Sequence, residues 1–145
     1  MGSSTAEPGL DSLAYELGRL LAEAGCTIVC GGLGGVMEAA CRGAKSAAGL
    51  TIGILPGTAR SDANPFVDVA IATGMGEARN VVVVRTADVL VAVGGGFGTL
   101  SEIGHALRLG KRVVGLETWE VSMGGRDPGI LRAFTPEQAV RMLLN

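Results

Sequence analysis

Residues 88–102 read DVLVAVGGGFGTLSE. Val89–Val93 is an apolar run of strand length, Gly94–Gly96 end it, and a helical apolar pattern then runs from about Leu100 to Leu109 and stops at Gly110. A buried strand passing through glycines into a helix is the unit from which parallel α/β sheets are built. Glycines there let the backbone approach a ligand, and the free amides and dipole of a helix N-terminus attract a phosphate. Gly94, Gly95, Gly96, Phe97, Gly98, Thr99, Leu100 and Ser101 are therefore candidate phosphate-binding residues, with hydroxyls at Thr99 and Ser101. The same turn also serves a strand-to-helix connection that binds nothing. The spacing is neither the dinucleotide fingerprint nor a Walker A loop.

Glu102 has two readings. Thr99-Leu100-Ser101-Glu102 fits a capping box, in which the carboxylate only satisfies the Thr99 amide. Alternatively it faces a ligand at the strand end. His105, one turn on, reads as a packed or half-exposed helix residue, and no Ser-His-Asp pattern accompanies it.

Working outward, the same grammar recurs. Asp11–Ala24 carries Leu13, Leu17, Leu20 and Leu21 at helical spacing, with Gly25 as C-terminal cap. Thr27–Cys30 is a short strand ending in a second glycine turn, where Gly31, Gly32, Gly34 and Gly35 are further candidate binding residues because strand ends line one rim. A helix of small residues follows, Val36–Ala48, with Glu38 reading as a solvated, dipole-favoured residue of its first turn. Thr51–Leu55 and Val67–Ala72 are strands separated by a polar loop. Glu77–Thr86 is ambiguous, since four valines favour a strand and Glu77-Ala78-Arg79-Asn80 looks like a helix opening. Arg79 suits bidentate recognition of a phosphate or carboxylate. Arg112–Leu116 is expected as the last strand, and Thr135, Pro136 and Gln138 start the final helix.

The expected fold is therefore an α/β unit with a mostly parallel sheet, spanning residues 1–145 as one domain. Such a sheet normally opens with a central strand before its first helix. No apolar run precedes the first helix here, and Gly2-Ser3-Ser4 resembles the turn after such a strand. The sequence thus leads us to expect a strand of roughly half a dozen residues upstream of Met1, and low stability or aggregation without it.

Composition narrows the function. The 145 residues are 48% hydrophobic, which excludes a disordered chain. A net charge of −2 leaves no electrostatic footprint for a nucleic-acid polymer. No apolar run approaches a membrane span, and no charged leader precedes an apolar one, so the expected location is the cytoplasm. Cys26, Cys30 and Cys41 read as buried small hydrophobes, with neither a disulfide framework nor a zinc spacing. No metal ligands and no required cofactor are expected.

Three stretches, Gly31–Ala40 (GGLGGVMEAA), Gly74–Asn80 (GMGEARN) and Gly94–Glu102 (GGGFGTLSE), resemble the molybdenum cofactor carrier protein family. That family is close kin to the LONELY GUY-type phosphoribohydrolases, older members of which were labelled putative lysine decarboxylases. The resemblance covers almost the whole chain from Gly2-Ser3-Ser4 onward. It implies a Rossmann-like three-layer α/β/α domain that binds a phosphate or nucleotide, a homodimer, a helical Glu77–Thr86 segment beside the site, and ligand contacts at Ser3, Ser4 and Asn80. The hydrolase signature has Pro-Gly-Gly-x-Gly-Thr-x-x-Glu with an upstream Arg-Lys pair. Gly95, Gly96, Gly98, Thr99, Glu102 and Arg79 match it, whereas Gly94 replaces the proline and Asn80 the lysine, as in the carrier branch. Neither Lys45 nor Lys111 suits a pyridoxal cofactor.

Two functions follow as expectations. The first is a binding protein for a phosphorylated small molecule, the molybdenum cofactor or a nucleotide, with the cofactor as carried ligand. The alternative is a phosphoribohydrolase that cleaves the N-glycosidic bond of a nucleoside 5′-monophosphate, with Glu102 and Arg79 catalytic and the oxocarbenium problem of glycosidases to solve.

Overall fold

The computed structural model describes residues 1–5 and 8–145. Helix α1 (Pro8–Glu23) leads to β1 (Ile28–Cys30), α2 (Val36–Ser46), β2 (Thr51–Leu55) and β3 (Val69–Ala72). A 3-10 turn, Gly76–Ala78, runs into α3 (Arg79–Thr86), followed by β4 (Leu90–Val93), α4 (Phe97–Arg108), β5 (Val113–Leu116), β6 (Ile130–Ala133) and α5 (Pro136–Leu144). Helix α1 packs on α2 and α5, and α3 packs on α4. Every strand pair is parallel, in the orders β3-β2-β1 and β4-β5-β6. The fold is the expected Rossmann-like α/β architecture.

The valine run is helical, because Val83 and Val84 bury one face while Arg79 opens the helix and Arg85 stays exposed. Two expectations need correction. The sheet does not end at Leu116: β6 adds an edge strand, which carries only Ile130 and Ala133 inward and leaves Leu131 and Arg132 exposed, so it lacks the continuous apolar run of its neighbours. Helix α4 starts at Phe97, three residues before the periodic pattern suggests, with Gly96 as N-cap. Helix α5 begins as expected: the Gln138 amide donates to Thr135 Oγ1 at 3.2 Å and the Gln138 side chain accepts from Phe134 N at 2.9 Å.

The inner edges of β1 and β4 do not pair with each other. Both line an apolar slot of about 650 Å³, walled by Leu17 and Leu21 of α1 and by Val36 and Met37 of α2. Met1 and Gly2 lie along the β4 side of it. The Met1 ammonium donates to Val91 O at 2.7 Å, Val93 N donates to Met1 O at 2.9 Å, and Gly2 bridges Val93 in parallel register.

Helices α1 and α2 touch backbone to backbone. A Cβ on Gly43 would stand 1.9 Å from Tyr15 O, and one on Gly18 would stand 2.1 Å from Ala40 O. The small residues of α2 are thus the condition for its closeness to α1.

Three helices end in the same left-handed motif. In α1, α2 and α4 the residue two past the cap donates five residues back (Cys26 to Leu21 O, Gly49 to Ala44 O, Lys111 to Ala106 O), and the residue before it donates to the next carbonyl along. Gly25 and Gly110 take the left-handed position in α1 and α4, but in α2 it is Ala48, at φ 57°. A side chain in that region costs about 1–2 kcal/mol, partly offset by the unfolded-state entropy of glycine, about 0.4–1 kcal/mol. Ala48→Gly is therefore expected to raise the urea midpoint by an amount equivalent to about 0.5–1 kcal/mol. An unchanged or lowered midpoint would count against that strain.

Both lysines are structural ties. Lys45 Nζ pairs with Asp68 at 2.8 Å, and Asp68 also accepts from Thr51. Lys111 Nζ donates to Val84 O and Arg85 O at the C-terminus of α3, where a cation offsets the carbonyl dipole. Cys30 and Cys41 are buried with their sulfurs 3.6 Å apart. Cys26 lies in the turn before β1 and is half-buried.

Candidate functional site

The N-terminus of α4 has no side-chain cap. Gly96 supplies only its carbonyl, to Leu100 N, so the amides of Phe97, Gly98 and Thr99 have no acceptor among the described residues. Sequence logic looks for a Ser, Thr, Asp or Asn at that point. The earlier start puts Thr99 in the first turn and Glu102 in the second, out of capping-box position, and this overturns the capping reading of Glu102.

A cavity of about 430 Å³ opens in front of this terminus. It is lined by the Ser3-Ser4 turn, by Leu33 and Pro56, by Arg79 and Asn80 of α3, and by Gly96, Gly98, Thr99 and Glu102. Ser3 is held by the first amide of α2, Val36 N donating to Ser3 O at 3.0 Å. Arg79 is 8% exposed and its guanidinium lies against Gly31, where a Cβ would stand 2.6 Å from Nη1. It donates to Asn80 Oδ1, while its Nε has no partner among the described residues. Burial pulls its pKa down, with Glu102 and Cys30 pulling the other way. An arginine remains charged through any accessible pH, so the site keeps a buried cation with unspent donors.

Glu102 is 6% exposed. Burial pushes its pKa up, opposed by the N-terminal ammonium and Arg79, and no ion pair joins it to Arg79 among the described residues. A raised carboxyl makes its stability contribution while neutral and loses it as pH climbs from the ordinary 4.5 through the higher folded value. In Glu102→Gln that loss disappears. The variant should match the parent in urea at low pH and exceed it increasingly as pH rises to neutrality. A difference that does not grow with pH would mean the carboxylate is well solvated.

The structure distributes the candidate residues as follows. Ser3, Ser4, Arg79, Asn80, Gly96, Gly98, Thr99 and Glu102 meet at the cavity. Gly31 acts through Arg79, and Gly32 and Gly35 have positive φ and pack closely, on Leu55 and on the Ser3–Thr5 backbone. Gly34 lies near Ser4 O and Glu38. Gly94 and Gly95, at φ 54° and 116°, face a neighbouring depression. Phe97 is 80% exposed, and neither Leu100 nor Ser101 lines the cavity. His105 is exposed, with Nδ1 2.9 Å from Ser101 O. Sequence reasoning missed the walls: Leu33, Met37, Pro56 and Glu77. Pro56-Gly57 directly after β2 was the available signal, since every parallel strand ends on the same rim.

A parallel sheet with an uncapped helix terminus and a buried arginine at its carboxyl rim defines a Rossmann-like ligand-binding fold. The chain belongs to the SLOG cluster4 family, whose model matches residues 1–140. A protein of Archaeoglobus fulgidus is 48% identical over 134 residues, 92% of this chain and 84% of the relative. Among solved structures, the molybdenum cofactor binding protein of the phototrophic bacterium Rippkaea orientalis is 38% identical with a TM-score of 0.86, covering 95% of this chain and 88% of that one. The molybdenum cofactor carrier protein of Chlamydomonas reinhardtii is 35% identical with a TM-score of 0.83, covering 99% and 92%. The expected likeness to cofactor carriers is therefore established. No described helix is long and apolar enough to cross a membrane.

Proposed function

We propose that this protein binds a phosphorylated small molecule in the Arg79–Glu102 cavity and shelters it, the molybdenum cofactor being the ligand to which the similar structures point. The observation that carries the reading is one convergence: the free amides of α4 and the under-partnered Arg79 guanidinium meet at the same 430 Å³ cavity. An anion satisfies both sets of donors at once. Burial raises the Glu102 pKa, which lessens the repulsion between its carboxyl and a bound anion. A homodimer in the cytoplasm completes the proposal.

Gly98 provides the test. A Cβ there meets nothing closer than Asn80 Nδ2 at 3.7 Å, so the fold does not need a glycine in the first turn of α4. Gly98→Ala is expected to fold with equal or higher stability, because alanine is favoured in helices by about 1 kcal/mol. Its methyl group would occupy the space in front of the amides, weakening the rise in melting temperature given by ribose 5-phosphate or AMP by tenfold or more in affinity. Unaltered affinity in a folded Gly98→Ala protein would sink the site.

A second reading, hydrolysis of a nucleoside 5′-monophosphate, is favoured by one observation: the Glu102 carboxyl lines the same cavity and lacks a salt-bridge partner among the described residues. Incubation with AMP decides it. Adenine release that vanishes in Glu102→Gln identifies a hydrolase, and binding without release leaves the carrier.

A further inference from the structure

Resting on that anion site, we propose that Trp119 and Phe97 form a stacking shelf for the planar heterocycle attached to the bound phosphate, reached across the bare strip Gly94–Gly96. The chain has only five aromatic residues, and two of them meet at the glycine loop. Their ring centroids are 5.6 Å apart at 37°. Trp119 Nε1 donates to Gly96 O at 3.1 Å, which fixes the indole by its edge, and the half-buried ring packs on the apolar cluster that includes Leu90 and Ile103. Phe97, the first residue of α4, is 80% exposed. A phenyl ring held in water beside a polar anion site is surface that a planar ligand would cover.

The two halves of the strip differ. Gly94 and Gly95 are required by their positive φ, and a Cβ on Gly95 would also collide with Thr99 at 2.4 Å. Gly96 is in extended backbone (φ −93°) and has no atom within 4 Å of a Cβ position. The fold makes no demand for glycine there. Gly96 lines the anion cavity on one side, while Gly94 and Gly95 line an open depression of about 730 Å³ on the other, walled by Trp119, Thr118 and Glu117. A side chain at Gly96 would stand between the two.

The far wall is built to stay in place. Thr118 Oγ1 donates to Gly94 O, so both carbonyls flanking Gly95 are tied down by the loop after β5. Glu117 holds φ 48°, a conformation that costs a non-glycine residue and that concentrates at functional positions. Its carboxylate on the rim is an acceptor for the amino edge of a purine or pterin, a hydrogen-bonding pattern that bare ribose 5-phosphate lacks. The ligand class is thus a phosphate ester of an amino-substituted fused heterocycle.

The test uses Trp119, the single tryptophan of the chain, as its own reporter. AMP and ribose 5-phosphate are each titrated against melting temperature and tryptophan emission, in the parent and in Phe97→Ala. Stacking on an aromatic contributes about 1–3 kcal/mol per base, so AMP should bind at least about fivefold more tightly than ribose 5-phosphate. AMP alone should change the emission. Phe97→Ala should bring the ratio of AMP affinity to ribose 5-phosphate affinity down towards one. Equal affinities with unmoved emission would overturn the shelf and leave the anion site standing. A melting temperature raised by neither compound would overturn both.

Discussion

Gly43→Ala is expected to cost about 3 kcal/mol of stability or more, a large share of the total for a domain of this size. The added methyl would stand 1.9 Å from Tyr15 O and 2.7 Å from Tyr15 C, and both are backbone atoms of α1 that cannot rotate away. The helices must separate, and separation opens the contact between Gly18 and Ala40 as well, where the tolerance is equally small. Leu17 and Val36, which belong to the same buried cluster, lose packing with it. Against this stands a helix-propensity gain of about 1 kcal/mol. Gly104→Ala isolates that gain, because Gly104 lies within α4 with nothing within 4 Å of its Cβ position. Chemical denaturation of both variants should move the midpoints in opposite directions. A Gly43→Ala protein as stable as its parent would mean that α1 and α2 are not in backbone contact.

The second large effect concerns the slot between β1 and β4. Six residues of alternating Val, Ile and Thr added ahead of Met1 should raise the melting temperature by about 10 °C, equivalent to roughly 3 kcal/mol at this chain length. The register is already set: Met1 pairs with Val91 and Val93, so a residue two places upstream would donate to Val89 O and accept from Val91 N. On its other side the same segment would face the inner edge of β1, Ile28–Cys30. Burying each Val or Ile contributes about 1.5–3 kcal/mol, and ordering each residue takes back about 1–2 kcal/mol, so the net gain is a modest part of the gross. An extension of the same length with proline at alternate positions cannot complete the ladder and should give little. Equal gains from both extensions would show that the slot does not accept a strand.

Much of the fold was legible because parallel strands buried on both faces read as continuous apolar runs, as in Thr51–Leu55 and Leu90–Val93. The edge strand β6 escaped because half its residues face solvent, and α4 was begun too late because its cap is a glycine that caps nothing. The site was legible in part for the same reason. Glycines mark where the backbone must be bare, but Gly35, Gly94 and Gly95 are there for backbone conformation, whereas Gly96 and Gly98 meet no such demand. A sequence does not separate these roles. Arg79 could be seen as a cation but not as a buried one, since burial depends on Gly31 from another strand. Trp119 lay in what reads as a connecting loop, and its scarcity in so aromatic-poor a chain was the signal.

The split sheet would give a ligand at the proposed site a second role. Gly31 belongs to the side of the sheet that carries β1, and α4 and the Met1–Gly2 segment belong to the side that carries β4; Arg79 heads the helix between β3 and β4. A molecule held by Arg79 and the α4 amides therefore fastens one half-sheet to the other, across the line where backbone hydrogen bonds are fewest. Its binding energy enters the cooperativity of the whole molecule as well as its affinity. An anion bound at this site is therefore expected to sharpen the unfolding transition as well as raise its midpoint.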